Sequence, residues 1–433
     1  MHLPTASQLD TAHHANPNKS RYVLFLLVLV GMVNMMDRQI LSIFIVPIQQ
    51  EFGVSDSAMG LLTGFAFSLF YVLAGLPVGR WLDIGNRRNI LSGAVVVWSV
   101  ATAACGLASS FLQLLTARIF VAAGESAANP GVVSIASDTF PPTQRARAIS
   151  IYYVGNSLGV FAGLMIGGWL ATHFGWRTAF VAVGLPGLLL ALLIRFTLRE
   201  PPRGFYEAPT STTTATHVSI TSVLRYLIKL PTYRGLVISS TFFTLVAYGL
   251  LSWSATYFLR VHHMNAAQVG LWLGLASGIG LVAGNLLGGF IADHLATRDL
   301  RWYVRLPALA SLLSIPAVAL CLLSDSNIVA LLAYIPAVML TGSVTPPLVA
   351  AIMAISKSTM RALSYSIYYL TAVVVGMGGG PFLIGALADA FAGQYGEESI
   401  RYAMLLVCVS ALSLAAIGLF LSSRTILADR ADG

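Results

Sequence analysis

Apolar segments close to 20 residues long follow one another from Arg21 to Ser422, each ended by a short polar stretch. About 18 to 20 apolar residues wound as a helix cross the hydrocarbon layer of a bilayer. Lipid offers no water to backbone polar groups, so such segments must be helices, which pair each N–H and C=O internally. Composition agrees, since 57% of the 433 residues are hydrophobic and only 10% charged, against about 25% charged in a soluble domain. The expected fold class is an all-α membrane protein. Apolar runs read against breakers place twelve spans, at roughly 21–48, 56–80, 89–109, 111–139, 146–172, 176–198, 235–260, 267–292, 302–324, 327–355, 362–391 and 399–422.

Residues 1–20 are polar, lack the apolar core of a signal peptide and read as a cytoplasmic tail; 423–433 read as a second tail. The net charge of +8 could suggest nucleic acid, but its placement does not. Of the 25 Lys and Arg, Arg38 and Arg118 fall inside spans. Only Arg177, Arg260 and Arg401 lie on the side opposite the amino terminus, and all the others share its side. Positive charge marks the cytoplasmic side, so both termini are expected in the cytoplasm, with a bacterial inner membrane as the expected location. The one long polar interruption, 199–234, opens with a Pro-, Thr- and Ser-rich linker. It continues as TSVLRYLIKLPTYRG, which fits a basic amphipathic helix at the membrane surface. It divides the chain into six-helix bundles at 21–198 and 235–422, an arrangement expected to frame a central substrate path.

The halves echo each other. GRWLDIGNRR (Gly79 to Arg88) follows the second span and GFIADHLATR (Gly289 to Arg298) follows the eighth. Through these residues, RIFVAAGES (Arg118 to Ser126) and FPPTQRARA (Phe140 to Ala148), nearly the whole chain resembles the major facilitator superfamily. It departs at position 86, where the usual glycine is Asn86. NMMDRQILSIFIVPIQQEFGVSD (Asn34 to Asp56), GESAANPG (Gly124 to Gly131) and WRTAFVAVGLPGLLLALLI (Trp176 to Ile194) are similar to the Spinster branch in its bacterial form. That resemblance implies twelve transmembrane helices in two pseudo-symmetric bundles and a sphingolipid- or lysolipid-like cargo. The Asp-Arg-x-x-Leu-Ser arrangement at Asp37 to Ser42 also occurs in proton-coupled carriers of organic anions, so it leaves the substrate open.

Four ionisable residues lie deep inside spans: Asp37 and Arg38 in the first, Arg118 and Glu125 in the fourth. Each costs at least ~3 kcal/mol at the bilayer centre unless paired or hydrated. Arg118 and Glu125 are two turns apart, about 10 Å along the axis, on one face. Asp37 and Arg38 are about 100° apart around their helix and cannot both aim at one partner. The expected depth sets them level with the gap between Arg118 and Glu125. Burial and a nearby guanidinium act on a carboxylate's proton affinity in opposite senses. Asp37 is therefore the expected proton-sensing residue and Glu125 the second carboxylate. Arg118 is the expected switching partner or binder of an anionic head group. A fixed salt bridge joining two helices is the alternative.

Asp83 is placed to cap a helix of the other half, the eleventh span beginning on the same side, since a carboxylate stabilises a helix amino terminus. This is an expected cytoplasmic gate, with Arg87, Arg88, Asp138, Arg145 and Asp293 as associated residues. Buried tyrosine hydroxyls need partners, so Tyr71, Tyr153, Tyr248 and Tyr368, with Arg38 and Arg118, are expected to contact substrate. Cys105, Cys321 and Cys408 lie far apart within apolar runs, and no metal-ligand cluster, Walker motif or nucleophile elbow is present. The expectation is a secondary active transporter rather than an enzyme, with no cofactor and with protons, membrane lipids and a small-molecule or lipid-like substrate as partners. Nothing demands more than a monomer. The alternatives are a proton-coupled carrier of small organic anions, and an uncoupled lipid-moving protein or receptor on the same fold.

Overall fold

The computed structural model describes residues 17–204, 206, 220–357 and 360–429. The first half holds α1 (Pro17–Phe52), α2 (Asp56–Ile84), α3 (Arg87–Cys105) and α4 (Phe111–Thr139). The helical stretch Pro142–Thr197 breaks at Gly175, whose φ of 75° suits glycine, into α5 (142–174) and α6 (176–197). A short linker helix, α7 (Ile220–Lys229), leads to the second half. That half holds α8 (Pro231–Arg260), α9 (Ala266–Ala296), α10 (Trp302–Leu323) and α11 (Asn327–Ile355). It ends with α12 (361–395) and α13 (Ser399–Thr425), which part at Gly396 (φ 56°). All but α7 cross the bundle, which gives the twelve expected spans.

The local causes are visible in the sequence. Ser55, Asn86, Ser110 and Asn265 cap α2, α3, α4 and α9 through their side-chain oxygens. Asn86 thus does useful work at the one position where the loop departs from its superfamily pattern. Pro142 and Pro231 begin α5 and α8, where a missing N–H costs nothing. Three expected boundaries shift. Residues 17–20 already belong to α1, α8 starts at Pro231 rather than 235, and α13 runs three residues into the expected tail. Residues 1–16 and most of 205–219 lie outside the described residues.

Within the first half Gly155, Gly159 and Gly163 seat α5 on the main chain of α1, a Cβ at Gly163 falling 2.8 Å from the Met36 oxygen. The halves meet through α5 with α9, α2 with α12, and α1 with α8. Two faces can be distinguished. The terminal face carries both chain ends and the 199–204 segment. The loop face carries 53–55, 106–110, 261–265 and 396–398. Near the loop face α2 and α12 touch, a Cβ at Gly60 or Gly64 lying 2.5 Å from the oxygen of Pro381 or Gly378. Toward the terminal face they part: Gly75 meets only Ser126 of its own half, and Gly79 has nothing within 4 Å. The halves are joined at the loop face and splayed at the terminal face.

Candidate functional site

The four intramembrane charges gather at the middle of the first half, against the second. α1 sends Arg38 toward the seam between the halves. Its Nη2 and Nε donate to Glu125 Oε2 at 2.7 and 3.2 Å, and its Nη1 lies 3.9 Å from Met377 Sδ of α12. Glu125 is fully buried and ends the first segment of α4, before a turn at Ser126–Ala127. Asp37 points into the first half. It is fully buried, its Oδ2 accepts from Thr102 Oγ1 of α3 at 3.3 Å, and its Oδ1 has no partner. Arg118, 2% exposed, donates Nη1 to the Asp37 main-chain oxygen at 3.4 Å. Its Nε is unpartnered, and no carboxylate lies within ion-pair distance of it among the described residues.

Phe67 of α2 is wedged between the two guanidiniums, its ring centre 4.8 Å from Arg38 Cζ and 5.1 Å from Arg118 Cζ. Such cation–π contacts stabilise a guanidinium removed from water. A cavity of about 20 Å³, room for a single water, is lined by Arg38, Gln39, Thr63, Arg118, Tyr248 and Met377 among others. α2 and α12 each carry a π-helical turn here, Leu61–Phe65 and Ala372–Met377. Such turns re-aim side chains and recur at functional sites. These two precede Phe67 and end on Met377.

The sequence-predicted residues divide. Tyr71 stacks on Phe67 and lies 5.6 Å from the Arg38 guanidinium. Tyr248 lines the cavity. Tyr153 is 48% exposed on α5, beside Tyr152. Tyr368 is turned away, packed inside the second half against Tyr365 and Ser240. Asp37 and Arg38 do take different partners. The carboxylate that Arg38 holds is Glu125, and Arg118 sits beside Asp37 without an ion pair.

The gating candidates lie at the terminal face and do not form one cluster. Arg87, 1% exposed, is ion-paired to Asp138 and to Glu200, the latter at 2.8 Å. Glu200 also accepts from the main-chain N–H of Arg87 and Arg88, capping α3. Arg203 donates to the main-chain oxygens of Leu82, Asp83 and Gly85 at the end of α2. Residues 199–204 therefore strap the first half, and Glu200 and Arg203 are members that sequence reasoning missed; the charges of REPPR were the available signal. Arg145 donates to the Phe140 oxygen rather than to Asp138, and Asp293 accepts from Tyr303 at 3.0 Å. Asp83 is exposed and its carboxylate has no partner among the described residues, so the expected cap on α12 is not made here. α7 turns Val223 and Leu227 onto the ends of α8 and α12 and leaves Arg225, Ile228 and Lys229 exposed.

The Major Facilitator Superfamily profile matches residues 27–381. A solved bacterial homologue of the human lysosomal transporter Spinster, inward-facing and unoccupied, superposes with a TM-score of 0.86. It shares 32% identity, over 96% of this chain and 99% of that one. An MFS-type efflux pump of Mycolicibacterium smegmatis is 29% identical over 98% of this chain and 97% of its own length. A probable galactarate/D-glucarate transporter of Bacillus subtilis is 27% identical over 70% of this chain and 72% of its length. The profile match and the whole-length likeness agree with the twelve-helix fold: the chain belongs to the major facilitator superfamily, as a membrane transporter of the Spinster-like branch.

Proposed function

We propose that the protein is a proton-coupled secondary transporter that moves an anionic amphiphile by alternating access. The observation that carries this reading is Asp37, a fully buried carboxylate with one free oxygen, beside an Arg118 that holds no carboxylate. A charged group in such surroundings persists only if paired or hydrated. A proton on Asp37 and an ion pair of Asp37 with Arg118 are alternative ways to neutralise it, and a change of access can exchange them. An anion that takes Arg38 from Glu125 leaves that carboxylate uncompensated and favours proton uptake nearby, so the loads are linked. The head group is held by Arg38 and Arg118, and the aromatic wall of Phe67, Tyr71 and Tyr248 receives the apolar part.

With positive charge marking the cytoplasm, the splayed terminal face is the cytoplasmic one and this conformation is open to the cell interior. Asp83, at the end of α2, closes that face in the alternate state, with Arg87, Arg88 and Asp138 ordering the adjoining start of α3 and end of α4. A second reading, a proton-coupled carrier of small organic anions, is supported by the likeness to the galactarate/D-glucarate transporter and by the paired guanidiniums. Proteoliposomes loaded with a pH-sensitive dye test both readings. Candidate lysolipids and sugar acids are added with and without a pH gradient. Proton movement that depends on one class identifies the substrate; cargo crossing without proton movement rejects the coupling.

A further inference from the structure

The loop-face closure contains an ion-and-helix contact that the transport site does not use. α2 and α12 are antiparallel there, the last turns of α12 lying against the start of α2. Asp389 sits in the C-terminal part of α12, where a helix's own dipole opposes a carboxylate. Its compensation comes from the other half of the molecule: Oδ1 accepts from the main-chain N–H of Asp56 at 2.9 Å and Oδ2 from that of Ser57 at 2.8 Å. These are among the first N–H groups of α2, which have no partner within their own helix. Asp56 in turn receives both Nη atoms of Arg260 from α8, at 2.9 and 2.8 Å, and the side-chain N–H of Gln49 at 2.8 Å. The small Gly385, one turn before Asp389, lies against the Asp56 main chain and lets the helices come this close.

We propose that Asp389 is the latch of the loop face, holding it shut by capping the amino terminus of α2, with the Arg260–Asp56 pair as its brace. The arrangement mirrors the one expected at the other face. Asp83 stands near the end of α2 as Asp389 stands near the end of α12; the Asp389 cap is made in this conformation, and the Asp83 cap belongs to the alternate one. Splaying the halves at one face separates one acid from its helix while closing the other, so the two caps alternate. This second clause rests on the gating role proposed for Asp83; the Asp389 latch does not.

The full-length protein in lipid nanodiscs tests it. Spin labels are placed at Leu112→Cys on α4 and Gln268→Cys on α9, both exposed on opposite halves near the loop face. The native cysteines are buried. Asp389→Ala is expected to raise the long-distance population about fivefold to tenfold, as loss of a helix cap does. Asp389→Asn, which keeps the shape and one acceptor, is expected to give a smaller rise, and it carries the test if the alanine variant does not fold. A distance distribution for Asp389→Asn and Arg260→Gln like that of the parent overturns the latch. Asp83→Asn is measured with the same labels: a fall in the long-distance population supports the alternation, whereas no change removes Asp83 from it and leaves Asp389 in place.

Discussion

Asp37 and Arg38 adjoin in sequence yet belong to different machines. Arg38 lies at the seam, bound to Glu125 of its own half and touching Met377 of the other, whereas Asp37 looks inward to Thr102 and Arg118. Asp37→Asn keeps the shape and the Thr102 contact and removes the titration. Substrate-driven proton movement in proteoliposomes is expected to vanish while the protein remains folded; parental proton flux would remove Asp37 from the coupling. The Arg38–Glu125 pair predicts a different signature. Removing one member of a buried pair strands the other, at a cost of about 3–5 kcal/mol. Glu125→Ala should therefore lower the unfolding midpoint sharply, and Arg38→Met with Glu125→Leu should recover most of the loss without restoring transport. Full additivity of the two single changes in a double-mutant cycle would mean that the pair is not energetically coupled.

A residue outside the spans gives a pH prediction. His262, in the loop after α8, has Nε2 against the Tyr257 hydroxyl at 2.9 Å and Nδ1 against Asn327 Oδ1 at 2.7 Å. Burial holds its imidazole below the usual range; the Asn327 contact opposes this and the nearby Arg401 and His263 add to it. The unfolded chain therefore takes the proton first. Stability from this site is complete above about pH 6.5 and declines as pH falls toward the depressed value. Thermal unfolding in detergent should show this decline in the parent and a flatter profile in His262→Gln.

At the scale of helices, closure of the loop face depends on backbone meeting backbone. A Cβ at Gly168 of α5 or Gly270 of α9 comes within 3.0 Å of the other glycine's Cα. A larger side chain has nowhere to go without separating the halves, and overpacking costs about 1–3 kcal/mol. Gly270→Leu should therefore disfavour this conformation, leaving each half folded, and cut the initial transport rate severalfold or more. A parental rate with unchanged spin-label distances would show that the crossing has slack. The spans themselves were legible in sequence because their apolar length is imposed by the bilayer, and the intramembrane charges stood out against it. Which carboxylate Arg38 would find was not, since that depends on the rotation of α1 against α4, set by the glycine seat on α5. Phe67 looked like any apolar residue of α2. Asp389, in the run ALADAF, carried no local signal because its partners are main-chain groups more than 300 residues away.

For the whole molecule, the charge distribution and the splay together predict a direction. Arg177, Arg260 and Arg401 are held at the loop face by Glu51, by Asp56, and by Asp325 with Glu398. Every cation on the side opposite the termini is thus ion-paired, while Arg225 and Lys229 of α7 are exposed at the terminal face. An excess of Lys and Arg beside the spans marks the side retained inside, whatever their partners in the folded state. The carboxy terminus is then expected in the cytoplasm, and the gap between the halves to be reached from there. An epitope tag placed after Gly433 should be protected from protease in intact spheroplasts and cleaved in inverted vesicles. Cysteines introduced at Gly79 and at Gln268 should respond oppositely to a membrane-impermeant maleimide, with Gln268→Cys labelled in spheroplasts and Gly79→Cys only in inverted vesicles. The reverse pattern would place the splayed face outside, and the same geometry would then describe a carrier waiting for substrate from the exterior.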